Sequence, residues 1–76
     1  MKTTLLAFAQ SRESFGFSEK TVDCEATETP REVVARIAPG VSTDGLRVAL
    51  DCEFADWDQP IGVISEMAFL PPVSGG

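Results

Sequence analysis

Histidine is absent from the 76-residue chain, which removes His-based triads and imidazole metal sites. Basic residues are scarce: six Lys and Arg stand against twelve Asp and Glu, a formal net charge of −6. A surface this acidic suits a phosphate backbone poorly, so no nucleic-acid partner is expected. It favours basic partner surfaces instead. No apolar run approaches the roughly 20 residues of a membrane span. No secretory h-region follows Lys2. A soluble, cytoplasmic chain with no membrane partner is the expectation. Cysteine is confined to Cys24 and Cys52, enough for one disulfide or none, and they lack zinc-knuckle spacing. A reducing compartment is the simpler reading. Repeats, linkers and a second domain are also missing, so residues 1–76 read as one domain. So small a core leaves little room for an enclosed pocket, and any chemistry is expected at the surface or in a complex.

What is present is a series of short apolar runs separated by turn residues. KTTLLAFAQ, residues 2–10, reads as a strand with Leu6 and Phe8 on one face and Leu5, Ala7 and Ala9 on the other. Apolar residues on both faces predict a central strand covered on each side. SRES reads as its polar boundary, and Gly16, between Phe15 and Phe17, as a turn. Residues 18–26 alternate, with Val22, Cys24 and Ala26 opposite Thr21, Asp23 and Glu25. This predicts a half-buried strand antiparallel to the first. Thr29, Pro30 and Glu32 form a helix start, as N-cap, N1 and N3 of a capping box. Val33, Val34 and Ile37 make one apolar stripe, and Pro39-Gly40 ends the helix after about two to three turns. A loop at 41–45 leads to residues 46–54, which alternate as one strand: Leu46, Val48, Leu50, Cys52 and Phe54 share its apolar face. Residues 56–60 read as a turn, 61–64 as a brief irregular stretch, and 66–70 as the last strand. Pro71 and Pro72 stop it, because neither can donate to a ladder.

The order strand, strand, helix, strand, short element, strand restricts the topology. A right-handed crossover places the last strand parallel to the first, in the middle of the sheet. The expected fold is α+β: a β-grasp, ubiquitin-like mixed sheet of about four to five strands with one helix across it.

The C-terminal segment 71–76 carries the strongest functional signal. Two prolines hold the exit from the last strand extended, near polyproline II. From Pro71 the chain reaches up to roughly 20 Å. Gly75 and Gly76 lack Cβ and suit a narrow channel. A stiff base with a thin tip fits delivery of a carboxylate into another protein's active site. That carboxylate is ionised and a poor electrophile. Activation by ATP as an acyl-adenylate would let a sulfur or amine nucleophile displace the nucleotide. The bland alternative is a frayed terminus or an expression scar. The Pro-Pro brake at a fixed offset from Gly-Gly argues against it.

The ending FLPPVSGG, with AFAQSRE near the start, resembles the small, sulfur-carrying subunit of molybdopterin synthase, the MoaD family of the ThiS/MoaD carriers. The resemblance covers nearly the whole chain. Ala9-Gln10, Arg12-Glu13, the segment Phe54 to Pro60 and the gap-free final motif carry it. Gly62-Val63-Ile64-Ser65-Glu66 departs from the acidic, Gly-containing turn common in that family. The resemblance implies that an E1-like adenylyltransferase, using ATP, adenylates Gly76. A persulfide donor then supplies the sulfur of a C-terminal thiocarboxylate. The large subunit of a heterotetrameric synthase receives the tail, and the sulfur goes to cyclic pyranopterin monophosphate to build the molybdopterin dithiolene. The chain would be a carrier and co-substrate, with no bound cofactor, no metal and no active site of its own. Carriers for thiamine or tRNA thiolation, and a ubiquitin-like modifier that forms isopeptide bonds, remain as alternatives.

Phe8, Phe54 and Leu70 match family positions that form an apolar docking surface; the competing reading is core packing, which strand alternation favours for Phe8. Pro71, Pro72 and Val73 belong to the same partner-binding segment. Arg12 is expected in a loop, either paired with an acidic group of the activating enzyme or simply solvated. Asp51, Glu53, Asp56 and Asp58 read as a solvated acidic face. Both cysteines are expected as buried structural thiols, and Trp57 as a packing residue at a turn.

Overall fold

The structure, a computed structural model, describes residues 1–71. Seven elements follow one another: β1 (Lys2–Ala7), α1 (Gln10–Phe15), β2 (Glu19–Asp23), α2 (Pro30–Ile37), β3 (Arg47–Leu50), β4 (Glu53–Ala55) and β5 (Glu66–Leu70). The five strands form one mixed sheet in the order β2-β1-β5-β3-β4. β1 and β2 are antiparallel, and β5 runs parallel to β1 and antiparallel to β3. The last strand therefore lies at the centre, as the crossover rule requires. The fold is the expected β-grasp, with a second, short helix.

α2 forms where its start signals predict. Thr29 Oγ1 accepts from Glu32 N at 3.1 Å, and Glu32 Oε1 accepts from Thr29 N at 2.9 Å. Pro30 sits in the first turn, where a missing N–H costs nothing. Val33 and Val34 are buried with Leu5, Val48, Leu50, Met67 and Phe69, so α2 covers one face of the sheet. Phe69 is fully buried, with Phe15 stacked on it at 4.7 Å and Trp57 at 6.1 Å between ring centroids. Trp57 Nε1 donates to Leu46 O at 3.1 Å, so the packing role expected of it holds.

Six expectations are corrected. The first strand ends at Ala7, and Ser11 to Phe15 are helical. Ser11 is buried, and Gly16 (φ 81°) closes the helix by donating to Arg12 O at 2.9 Å. Arg12 therefore lies on α1, not in a loop. β1 is fully covered on one face only: Thr3, Leu5 and Ala7 are buried while Thr4 and Leu6 are half-buried, and Phe8, just past the strand, is 41% exposed. Residues 46–54 are a hairpin rather than one strand. Asp51 (φ 48°) and Cys52 (φ 71°) form its two-residue turn, because positive φ at both positions matches the strand twist. Cys52 is consequently exposed, while Cys24 is buried as expected. Asp51 is not merely a solvated charge: its Oδ1 accepts from Ser65 N and Glu66 N, both at 2.9 Å, and fixes the start of β5.

Candidate functional site

Among the described residues, the sheet face away from α2 has no helix on it. Side chains alternate across a strand, so this face receives Leu6 from β1, Ala68 and Leu70 from β5, Arg47 and Ala49 from β3, and Phe54 from β4. The strand registers put Leu6 beside Ala68, Ala68 beside Ala49, and Ala49 beside Phe54. At about 4.8 Å per strand the row crosses about 14 Å of sheet. Its two central alanines are buried, with Leu6 at one end and Phe54, 58% exposed, at the other. Small residues between large ones make a shallow apolar depression. One step toward the C-terminal end of β5, Leu70 lies opposite Arg47. The Arg47 guanidinium rests 3.7 Å from the Phe54 ring centroid.

This depression borders the base of the C-terminal segment. β5 is held on both sides by neighbouring strands and at its start by Asp51. Near its end Ser11 Oγ lies 3.1 Å from Phe69 O and 2.7 Å from Phe8 O, and accepts from Phe8 N at 2.9 Å. Leu70 and Pro71 are half-buried. The chain thus leaves the sheet from a fixed point. Pro72, Val73, Gly75 and Gly76 lie outside the described residues.

The structure brings Phe54 and Leu70 to one face, and Phe8 is exposed just past the strand that supplies Leu6. Core packing is thereby excluded for Phe8 and Phe54. Arg12 is exposed on α1. Arg47 escaped the sequence reading, because treating 46–54 as one strand put Phe54 on the opposite face from Arg47. Two turn residues change that: Phe54 pairs with Ala49, and so joins Arg47. Among the described residues no group of three or more His, Cys, Asp and Glu could hold a metal ion. The shifted carboxyls lie elsewhere. A hydrogen bond from Arg36 holds Glu28 below the usual range, and Arg31 does the same for Asp58, both pairs on the α2 side. A hydrogen bond from Lys2 lowers Asp23 at the end of β2. An open depression of about 440 Å³ between α2 and the loop after it lies on the helix side and includes none of the open-face residues.

Fold and site together define a small β-grasp domain with one helix-covered and one open sheet face. The sequence model of the ThiS family matches residues 5–76, and the chain belongs to that family. Solved structures that share the fold include the following three. One carries the description "Putative molybdopterin converting factor, subunit 1", from Pyrococcus furiosus: 17% identity, TM-score 0.74, covering 96% of this chain and 99% of that one. SAMP1 from Haloferax volcanii is 24% identical, with TM-score 0.69 and full coverage of both chains. The small archaeal modifier protein 1 of Methanosarcina acetivorans is 17% identical, with TM-score 0.64, covering 99% of this chain and 96% of that one. No helix among the described residues is long and apolar enough to cross a membrane.

Proposed function

We propose that this protein is the sulfur-carrier small subunit of a cytoplasmic molybdopterin synthase. Gly76 is its reactive terminus. The Gly76 carboxylate attacks the α-phosphate of ATP on an E1-like enzyme, and pyrophosphate leaves. A persulfide sulfur then displaces AMP, and a second thiol attacks the donor sulfur of the acyl disulfide, releasing the thiocarboxylate and leaving the two thiols joined as a disulfide. The large synthase subunit accepts the tail, and the sulfur passes to cyclic pyranopterin monophosphate. Phe8, Phe54 and Leu70 dock the carrier, Pro71, Pro72 and Val73 span the channel, and Arg12 meets an acidic group of the activating enzyme. The observation that carries this reading is the family match, which runs through Gly76 and includes the whole Phe69-Leu70-Pro71-Pro72-Val73-Ser74-Gly75-Gly76 motif.

A second reading, a modifier joined to lysine amines, draws on the full-length likeness to SAMP1. Both begin with the same acyl-adenylate and differ in the nucleophile. Intact mass of the cell-purified protein separates them. One oxygen replaced by sulfur at Gly76 supports the carrier, whereas lysine-linked conjugates in lysates support the modifier. One residue added after Gly76 displaces the carboxylate by about 3.3 Å. Misplacement by about 1 Å can cost on the order of a hundredfold in rate. The extended protein is expected to lose thiocarboxylate formation. Its retention would remove Gly76 from the chemistry.

A further inference from the structure

Two of the four arginines, Arg31 and Arg36, lie in carboxylate pairs among the described residues, whereas Arg12 on α1 and Arg47 on β3 do not; of these last two, only Arg47 is stacked on an aromatic ring and borders the end of β5. Arg31 is paired with Asp58 at 2.8 Å and Arg36 with Glu28 at 3.0 Å. Arg47 has no carboxylate within 4.0 Å among the described residues, although the chain carries twelve Asp and Glu. It is held instead by the face of Phe54, 3.7 Å from the ring centroid. Stacking of that kind fixes the plane of a guanidinium and leaves its N–H edges to bind a carboxylate in a bidentate fork. Arg47 is exposed, and its partner across the sheet is Leu70, the last residue of β5. A pre-oriented positive charge thus stands at the base of the C-terminal segment, on the border of the apolar depression. In a chain of net charge −6 this is a local reversal of sign.

We infer that Arg47 selects the protein that activates this carrier, by pairing with an Asp or Glu side chain on the rim of that enzyme's tail-receiving channel. The inference rests on the carrier reading, and it applies equally to the modifier reading, since both need the same adenylation. Leu6, Leu70 and Phe54 supply apolar contact, and Arg47 fixes how the carrier is turned on that contact. A charge at the edge of an apolar interface acts chiefly on encounter rate, orientation and salt sensitivity. It should therefore alter recognition of the carrier and leave the chemical step alone.

The test is ATP–pyrophosphate exchange with the full chain and the E1-like enzyme of the same organism. For Arg47→Gln the KM for the carrier is expected to rise about fivefold, with kcat unchanged. Arg47→Glu should raise it further and Arg47→Lys should recover part of the loss, because the charge returns without the planar fork. The wild-type KM should climb with ionic strength, and Arg47→Gln should flatten that dependence. Melting curves of the variants should overlay the parent, since the side chain is exposed. An Arg47→Gln protein with the parent's KM and salt slope would overturn the proposal and leave Arg47 as a cover for Phe54. A change in the KM for ATP alone would also overturn it, assigning the guanidinium to the nucleotide. Absence of exchange with the wild-type chain would instead overturn the carrier reading, and the proposal with it.

Discussion

Single side chains in this domain differ sharply in how well they are satisfied. Ser11 and Thr3 are both buried hydroxyl residues. Ser11 has three backbone neighbours within 3.1 Å, whereas Thr3 Oγ1 has no hydrogen-bond partner among the described residues. Burying a hydroxyl without a partner costs about 1–3 kcal/mol. Thr3→Val keeps the shape and removes the unsatisfied group, so it should stabilise the fold by about 1 kcal/mol in urea denaturation. A loss of stability would mean that Thr3 has a partner in solution. Cys52 presents a different local problem. Its φ of 71° suits glycine, and a non-glycine residue there is strained by about 1 kcal/mol. Cys52→Gly should raise the melting temperature by a few degrees, which differential scanning calorimetry would show.

At the scale of the elements, legibility followed the strength of the local signal. α2 could be read because Thr29, Pro30 and Glu32 mark its start and Val33, Val34 and Ile37 its buried stripe. α1 could not: its N-cap, Ala9, offers no side-chain cap, and six residues are too few to show a period. Only Gly16 marked its end. The β3–β4 hairpin was hidden because Asp51-Cys52 lacks the Asn-Gly signature of its turn, and the letters on either side continue to alternate. The exposure of Phe8 and Phe54 was expected only through the family resemblance, whereas Arg47 depended on a register that the hidden turn reversed. The α2 ion pairs also contribute to the response to acid, as does Asp23 beside Lys2. Arg36 lowers the Glu28 carboxyl and Arg31 lowers that of Asp58. A carboxyl depressed in the fold contributes stability above its unfolded pKa of about 4, and that stability is lost as pH falls through the folded value. The melting temperature should therefore stay level from about pH 7 to pH 5 and fall below about pH 4. Glu28→Gln should lower the neutral value and make the acid decline shallower. An unchanged profile would show that the Glu28–Arg36 pair does not contribute.

For the whole molecule, one sheet face is spent on the core and the other, among the described residues, is left open, the face that the proposed function assigns to a partner. Aspartate at Leu70 or Phe54 is an ambiguous probe of that face, because Arg47 lies beside both and would neutralise the new charge. Truncation avoids this. Phe54→Ala and Phe8→Ala should each weaken binding to the large synthase subunit about tenfold, or about 1.4 kcal/mol. Melting curves should move little, since neither ring belongs to the buried core. Full binding by both variants in a calorimetric titration would place the contact on another face. The central position of β5 has a mechanical consequence. β1 and β5 run side by side in the same direction, so the beginning of one and the end of the other lie at opposite ends of the sheet. A pull applied beyond Leu70 against Met1 loads the evenly spaced bonds between these strands together, in shear. They cannot open one at a time, as they would in an unzipping hairpin. An unfoldase that grips the C-terminal segment therefore meets the stiffest part of the domain first.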